Sequence, residues 1–145
     1  MVFPTVWSPF KIASFTYLCA GGTDQQFMAH CREDPDSVLE GVKILADTLQ
    51  TWTRDYLELG SSGIYYSGQF SEPQRFDGET WEKLVKPSDL AVLGVTKEFA
   101  EKYNIVHICG EAEFGFQSSP RRYAGYPGEL FNWDVHRTEQ KKKKG

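Results

Sequence analysis

Cysteine is scarce in this 145-residue chain, no apolar run is long, and positive charge is thin outside the last few residues. Three cysteines, an odd number without scaffold spacing, exclude a disulfide-stapled fold and predict reduced thiols in the cytoplasm. The N-terminal stretch is fairly apolar but has no basic leader. Pro4, Pro9 and Lys11 interrupt it, so it fits neither a signal peptide nor a membrane span. Four of the 16 basic residues form the run Lys141 to Lys144, and without them 12 basic residues face 20 acidic ones, a net charge of −8. A body that acidic repels phosphate backbones, which argues against nucleic-acid binding. No internal repeat or linker is visible. Gly21-Gly22 lacks the strand and helix context of a phosphate-binding loop and reads as a helix break.

The composition that remains, 40% hydrophobic and 14% aromatic, is that of one globular domain. Residues 1–137 are expected to form it, with 138–145 a disordered lysine-rich tail. The clearest periodicity runs over residues 36 to 59, where Val38, Val42, Leu45, Leu49, Trp52, Tyr56 and Leu59 advance by three and four and predict one apolar helix face. Asp34 suits its N-cap, Pro35 its first turn and Gly60 the left-handed position after its end. Short apolar runs at 2–7, 63–68, 104–109 and 130–135 predict strands. A second helical region starts at Gly78 and passes through Trp81, Leu84 and Val85. Pro87 should break it before it resumes with Leu90, Leu93, Ala100 and Tyr103 on one face. Strands alternating with helices predict parallel β/α units in chain order, either a small open sheet or about half of an eight-unit barrel.

Chemistry concentrates near the ends of the later strands. His107 and Cys109 are one residue apart, so a strand presents them on one face, and an imidazole with a thiolate can hold zinc. A buried, hydrogen-bonded pair is the competing reading of the same spacing. Asp134 and His136 repeat the geometry on the next strand as possible metal or acid–base groups, or as a helix cap and a solvated imidazole. Glu111 can support a metal-bound histidine or be a solvated loop carboxylate. Tyr65, Tyr66, Phe70 and Trp133 can wall a flat ligand or fill the core. Cys19 and Cys31 read as buried structural thiols.

Several segments together resemble a known family: Pro4-Thr-Val-Trp-Ser-Pro9, the helix ending Leu59-Gly60 before Ile64-Tyr-Tyr, Trp81-Glu-Lys-Leu-Val-Lys-Pro87, His107-Ile-Cys-Gly110 and Asn132-Trp-Asp134. The chain is similar over residues 1 to about 137 to the uroporphyrinogen decarboxylase superfamily, (β/α)8 barrels that include corrinoid-dependent methyltransferases. The resemblance implies α/β architecture forming about half of such a barrel. In the methyltransferase branch, His-x-Cys-Gly at a strand end resembles a zinc motif, which implies zinc ligation by His107 and Cys109. No cysteine follows Cys109, so either Asp134 or His136 takes the third position or the metal site is incomplete. The implied parent activity is zinc-dependent methyl transfer from a corrinoid, carried by a partner protein, to a small-molecule thiol. Tetrapyrrole decarboxylation and a non-catalytic truncated half-barrel are the alternatives. A chain that opens in one strand and stops just after another predicts self-association and no activity in isolation.

Overall fold

A computed structural model describes residues 1–68, 78–99 and 102–107, together with the backbone of 131–132. Strand β1 (Thr5–Trp7) leads into helices α1 (Pro9–Cys19), α2 (Asp24–Glu33) and α3 (Pro35–Glu58), and then strand β2 (Tyr65–Ser67). A continuous helical stretch follows: a first turn α4 (Gly78–Thr80), a π-helical turn over Trp81–Val85, helix α5 (Lys86–Val95) and a 3₁₀ turn over Thr96–Phe99. Strands β3 (Ile105–His107) and β4 (Phe131–Asn132) complete a four-stranded sheet in the order β1-β2-β3-β4, every neighbouring pair parallel. The fold is thus mixed α/β with a small parallel sheet. Its strands fall within the apolar runs that predicted them; β1 starts later than expected and ends at the expected Trp7, and β2 is one residue or more shorter at each end than the run 63–68.

Strand alternation divides the sheet into two unlike faces. Val6, Tyr66 and Val106 pair across β1, β2 and β3, and all three are buried in one apolar cluster with Phe10, Phe27, Val42, Leu49, Leu84 and Val92. Those partners come from α1, α2, α3, the π turn and α5, so the described helices cover one face of the sheet. Parallel neighbours joined in chain order by crossovers of one hand produce this arrangement. The opposite parity, Thr5, Trp7, Tyr65, Ser67, Ile105 and His107, lies on the other face.

The long helix starts and stops as its sequence dictates. The Asp34 side chain accepts a hydrogen bond from the Ser37 N–H at 3.2 Å, Pro35 occupies the first turn, and Gly60 adopts φ +95° just past the end. Its buried stripe differs from the expected one. Val42, Ala46, Leu49, Thr53 and Leu57 face the core, whereas Trp52 is 53% exposed, Leu59 85% exposed, and Tyr56 lies at the surface. The physical reason is the period. Steps alternating three and four drift off the axis of a straight helix with 3.6 residues per turn, so the later members of the expected series rotate onto its flank.

Helix breaks follow the same logic with one exception. Gly21, at φ +93°, ends α1, and a capping box between Thr23 and Gln26 starts α2, as the glycine pair predicted. Pro87 does not break its helix. Proline lacks an N–H and crowds the carbonyl four residues back, and here the ladder is already widened immediately upstream. The Lys86 N–H bonds to the Trp81 carbonyl five residues earlier, and the Ser88 hydroxyl donates to the Val85 carbonyl at 2.8 Å. Tyr103, expected on the buried face of this helix, lies beyond it and is exposed. Cys31 is buried as expected, and that burial pushes its thiol up to about 11; Cys19 is exposed. Among the described residues no helix is long and apolar enough to cross a membrane.

At the N-terminal edge of the sheet the backbone of Gly63 is pressed against β3's approach. A Cβ added there would stand 1.4 Å from the Tyr103 carbonyl oxygen. Gly63→Ala is therefore expected to cost at least the roughly 3 kcal/mol at the upper end of ordinary substitutions. Gly41→Ala, mid-helix on the exposed side of α3 with nothing within 4 Å of its new methyl, should stabilise by about 0.5–1 kcal/mol. Urea denaturation midpoints of the two variants check both signs. Strong acid should weaken the α3 cap. Hydrogen bonds from the Ser37 side chain, then from its backbone, hold Asp34 below the usual carboxylate range. The cap's contribution is present above the unfolded-state pKa of about 3.9 and is lost as pH falls through the depressed folded value. Thermal melts between neutral and strongly acid pH should lose part of their acid limb in Asp34→Asn, which caps without titrating.

Candidate functional site

The face of the sheet opposite the helices carries an open cleft of about 450 Å³. Thr5 and Trp7 of β1, Tyr65 and Ser67 of β2 and His107 of β3 line it, joined by Lys11 and Phe15 from α1. Parallel register explains the gathering: Trp7, Ser67 and His107 are mutual partners at the last described level of their strands. The ladder continues one step further, with Ser8 N–H on the Ser67 carbonyl at 3.0 Å and Gly68 N–H on the His107 carbonyl at 2.8 Å. The cleft therefore lies toward the C-terminal ends of the strands, where parallel α/β folds place their sites.

Five of these side chains are each oriented by a neighbour. The Lys11 ammonium stands 3.9 Å over the centre of the Trp7 ring, a cation–π contact. Phe15, one helical turn beyond Lys11, meets Trp7 edge-on, with centroids 6.3 Å apart and planes at 89°. Tyr65 and His107 stack across β2 and β3 at 5.7 Å and 25°. Lys11 is 6% exposed despite its charge, while Trp7 remains 38% exposed at the rim.

His107 and Tyr65 thus stand in the cleft, as their strand positions suggested. Tyr66 does not. It is fully buried on the helix side, because adjacent residues of a strand point to opposite faces. Cys109, Glu111, Asp134, His136, Phe70 and Trp133 lie outside the described residues, and among the described ones no three His, Cys, Asp or Glu side chains come together.

Sequence reasoning missed Lys11 and Asp89. Lys11 carried a signal, a lone cation one turn into a helix that follows a strand directly. Asp89 carried none, since nothing local marks the residue two after Pro87 as buried. It is completely buried at the start of α5, and its Oδ1 accepts hydrogen bonds from the Ser8 hydroxyl and the Tyr66 hydroxyl, both at 2.7 Å. This carboxyl ties the end of β1 and the middle of β2 to α5 directly behind the cleft floor. Removing one donor leaves buried acceptor capacity unmet, so Tyr66→Phe should lower stability by about 1.5–3 kcal/mol in equilibrium unfolding. Ser8→Ala should cost more in the Tyr66→Phe background than by itself, because the two donors share one oxygen and each partly covers the loss of the other.

In comparisons with protein-family models, curated proteins and solved structures, the chain finds no match in any of the three.

Proposed function

We propose that the chain is a (β/α)-barrel segment of the uroporphyrinogen decarboxylase type, with a parent activity of zinc-dependent methyl transfer to a thiol. One observation carries the reading: His107 stands at the last described level of β3, on the face of a chain-ordered parallel sheet that the described helices leave uncovered. In a barrel that face becomes the interior, and the C-terminal strand ends become its mouth.

The imidazole fits a metal-ligand role in part. It lies in the cleft half-buried, and its stack on Tyr65 limits ring rotation, as supporting contacts do for metal-bound histidines. The other donors in this proposal are Cys109 with Asp134 or His136, and Glu111 as a supporting carboxylate. Zinc held there would lower the pKa of a substrate thiol and ready its thiolate for methylation. The chain's own residues position that thiol: Trp7 and Tyr65 confine it, and Ser67 offers a hydroxyl on the same floor. The methyl donor in this reading is a corrinoid brought by a partner protein.

Metal analysis tests the reading directly. The purified chain, offered zinc at neutral pH and then dialysed, should retain one equivalent, and His107→Ala and Cys109→Ala should each lose it. Retention of no zinc by the wild-type chain, or full retention by both variants, would refute the assignment.

A further inference from the structure

We infer that two copies of this chain pair through the outer edge of β1 and the flank of α3 beside it, forming a two-fold dimer in which the β1 strands run antiparallel. This gives a surface and a geometry to the self-association expected from the sequence, and it rests on none of the proposed metal ligands.

The backbone supplies the first half of the contact. β1 is an edge of the described sheet, and its inner side is used by β2: the Val2 and Pro4 carbonyls accept from the Ser62 and Tyr65 N–H groups at 2.8 and 2.9 Å, and the Ser8 N–H donates to the Ser67 carbonyl at 3.0 Å. Successive residues of a strand turn their backbone groups to opposite sides, so Thr5 and Trp7 direct theirs outward. Pro4 is a residue that cannot donate, and it falls on the inner parity, which leaves the outer row complete. Charged side chains blunt many sheet edges, but Thr5 and Trp7 carry none. Such a row accepts another strand.

The helix supplies the second half. α3 joins β1 to β2 and α5 lies between β2 and β3, so α5 stands on the β3 side of α3. Asp36 and Arg54 lie about five turns apart on one line of α3 and reach that neighbouring helical stretch, bonding Lys83 at 2.7 Å and Glu98 at 2.8 Å. On the opposite line are Trp52, Tyr56 and Leu59, all exposed, which therefore face outward past the β1 edge. Leu45 and Thr48 extend this flank toward the helix start. None of the five is charged, whereas Glu40, Asp47 and Glu58 project elsewhere on the helix.

Spacing and charge select a second copy as the occupant. Strands lie about 4.8 Å apart and a crossover helix sits over the seam of the strands it joins, so a two-fold axis at the β1 edge sets the two α3 helices about 10 Å apart, the spacing of packed helices. Heights agree as well. α3 ends beside Gly63, which touches Phe3; Trp52 stands about 10 Å up the helix from that level, and Val6 about 10 Å up its strand. An axis through Val6 then brings Trp52 of each copy to its counterpart, and antiparallel helices set Leu59 opposite Leu45 and Tyr56 opposite Thr48. An uncharged apolar flank fits itself in this arrangement, while two copies of a chain of net charge −4 repel over their acidic surfaces.

Sedimentation equilibrium of the full chain, with a chelator present so that no metal bridges copies, should show a monomer–dimer equilibrium. Trp52→Lys and Leu59→Lys, both on the exposed flank, should each weaken the dimer at least about tenfold. Amide exchange followed by NMR locates the strand contact: Thr5 and Trp7 should exchange slowly in concentrated protein and fast on dilution, while Ser8, bonded inward, stays protected in both. In a mixture of isotope-labelled and unlabelled copies, intermolecular NOEs should join β1 to β1. The proposal fails if the chain is monomeric at every concentration, if both substitutions leave association unchanged, if Thr5 and Trp7 exchange alike at both concentrations, or if the NOEs join β1 to a different strand. The wild-type exchange and NOEs decide the matter even if a variant does not fold.

Discussion

Parallel strands cannot be joined by tight turns, so every return of this chain to its sheet is a crossover, and consecutive crossovers of one hand must stack on the same side. That constraint decides which residue of each strand is structural. Val6, Tyr66 and Val106 meet the helices and are lost to solvent, while Trp7, Ser67 and His107, one position on, remain at a face where a ligand can reach them. Core and cleft are thus two sides of the same three short strands. The Asp89 carboxyl, bonded through Ser8 and Tyr66, holds the first two strands to α5 from behind.

Local chemistry made much of this legible. Asp34, Pro35 and Gly60 bracket α3 because capping and left-handed geometry depend on single residues and their immediate neighbours. The strands were visible as β-branched and aromatic runs, and their parallel order followed from the intervening helices. Two readings failed where the answer is not local. The flank position of Trp52 and Leu59 depends on helix phase accumulated over several turns. Continuity through Pro87 depends on a widened turn that no propensity signals. For Tyr66 both a ligand wall and the core were open, because two adjacent tyrosines are equivalent until register says which faces the helices; it is the core residue.

The cleft was half legible for the same reason. His107 and Tyr65 lie on strands whose C-terminal ends were expected to share one mouth, although nothing in the sequence separated Tyr65 from Tyr66. Lys11 belongs to the helix leaving β1. Its approach to Trp7 depends on how α1 turns back across the strand end, and a sequence pattern does not contain that angle. Burial of a cation here is a tertiary outcome: the ring face of Trp7 and the neighbouring Phe15 make a place for it only once β1 and α1 are docked.

The π turn at Trp81–Val85 also acts as a phase shifter. A helix advances by about 100° per residue, so one extra residue accommodated in a single turn rotates everything downstream by that amount relative to everything upstream. The widened turn itself buries Trp81, Leu84 and Val85; downstream the chain buries Ser88, Asp89, Val92 and Leu93. With the turn wound as ordinary α-helix, the same downstream sequence would present a different side to the sheet, and Asp89 would swing away from Ser8 and Tyr66. The widened turn thus sets the azimuth of α5 and determines which of its residues stands behind the cleft.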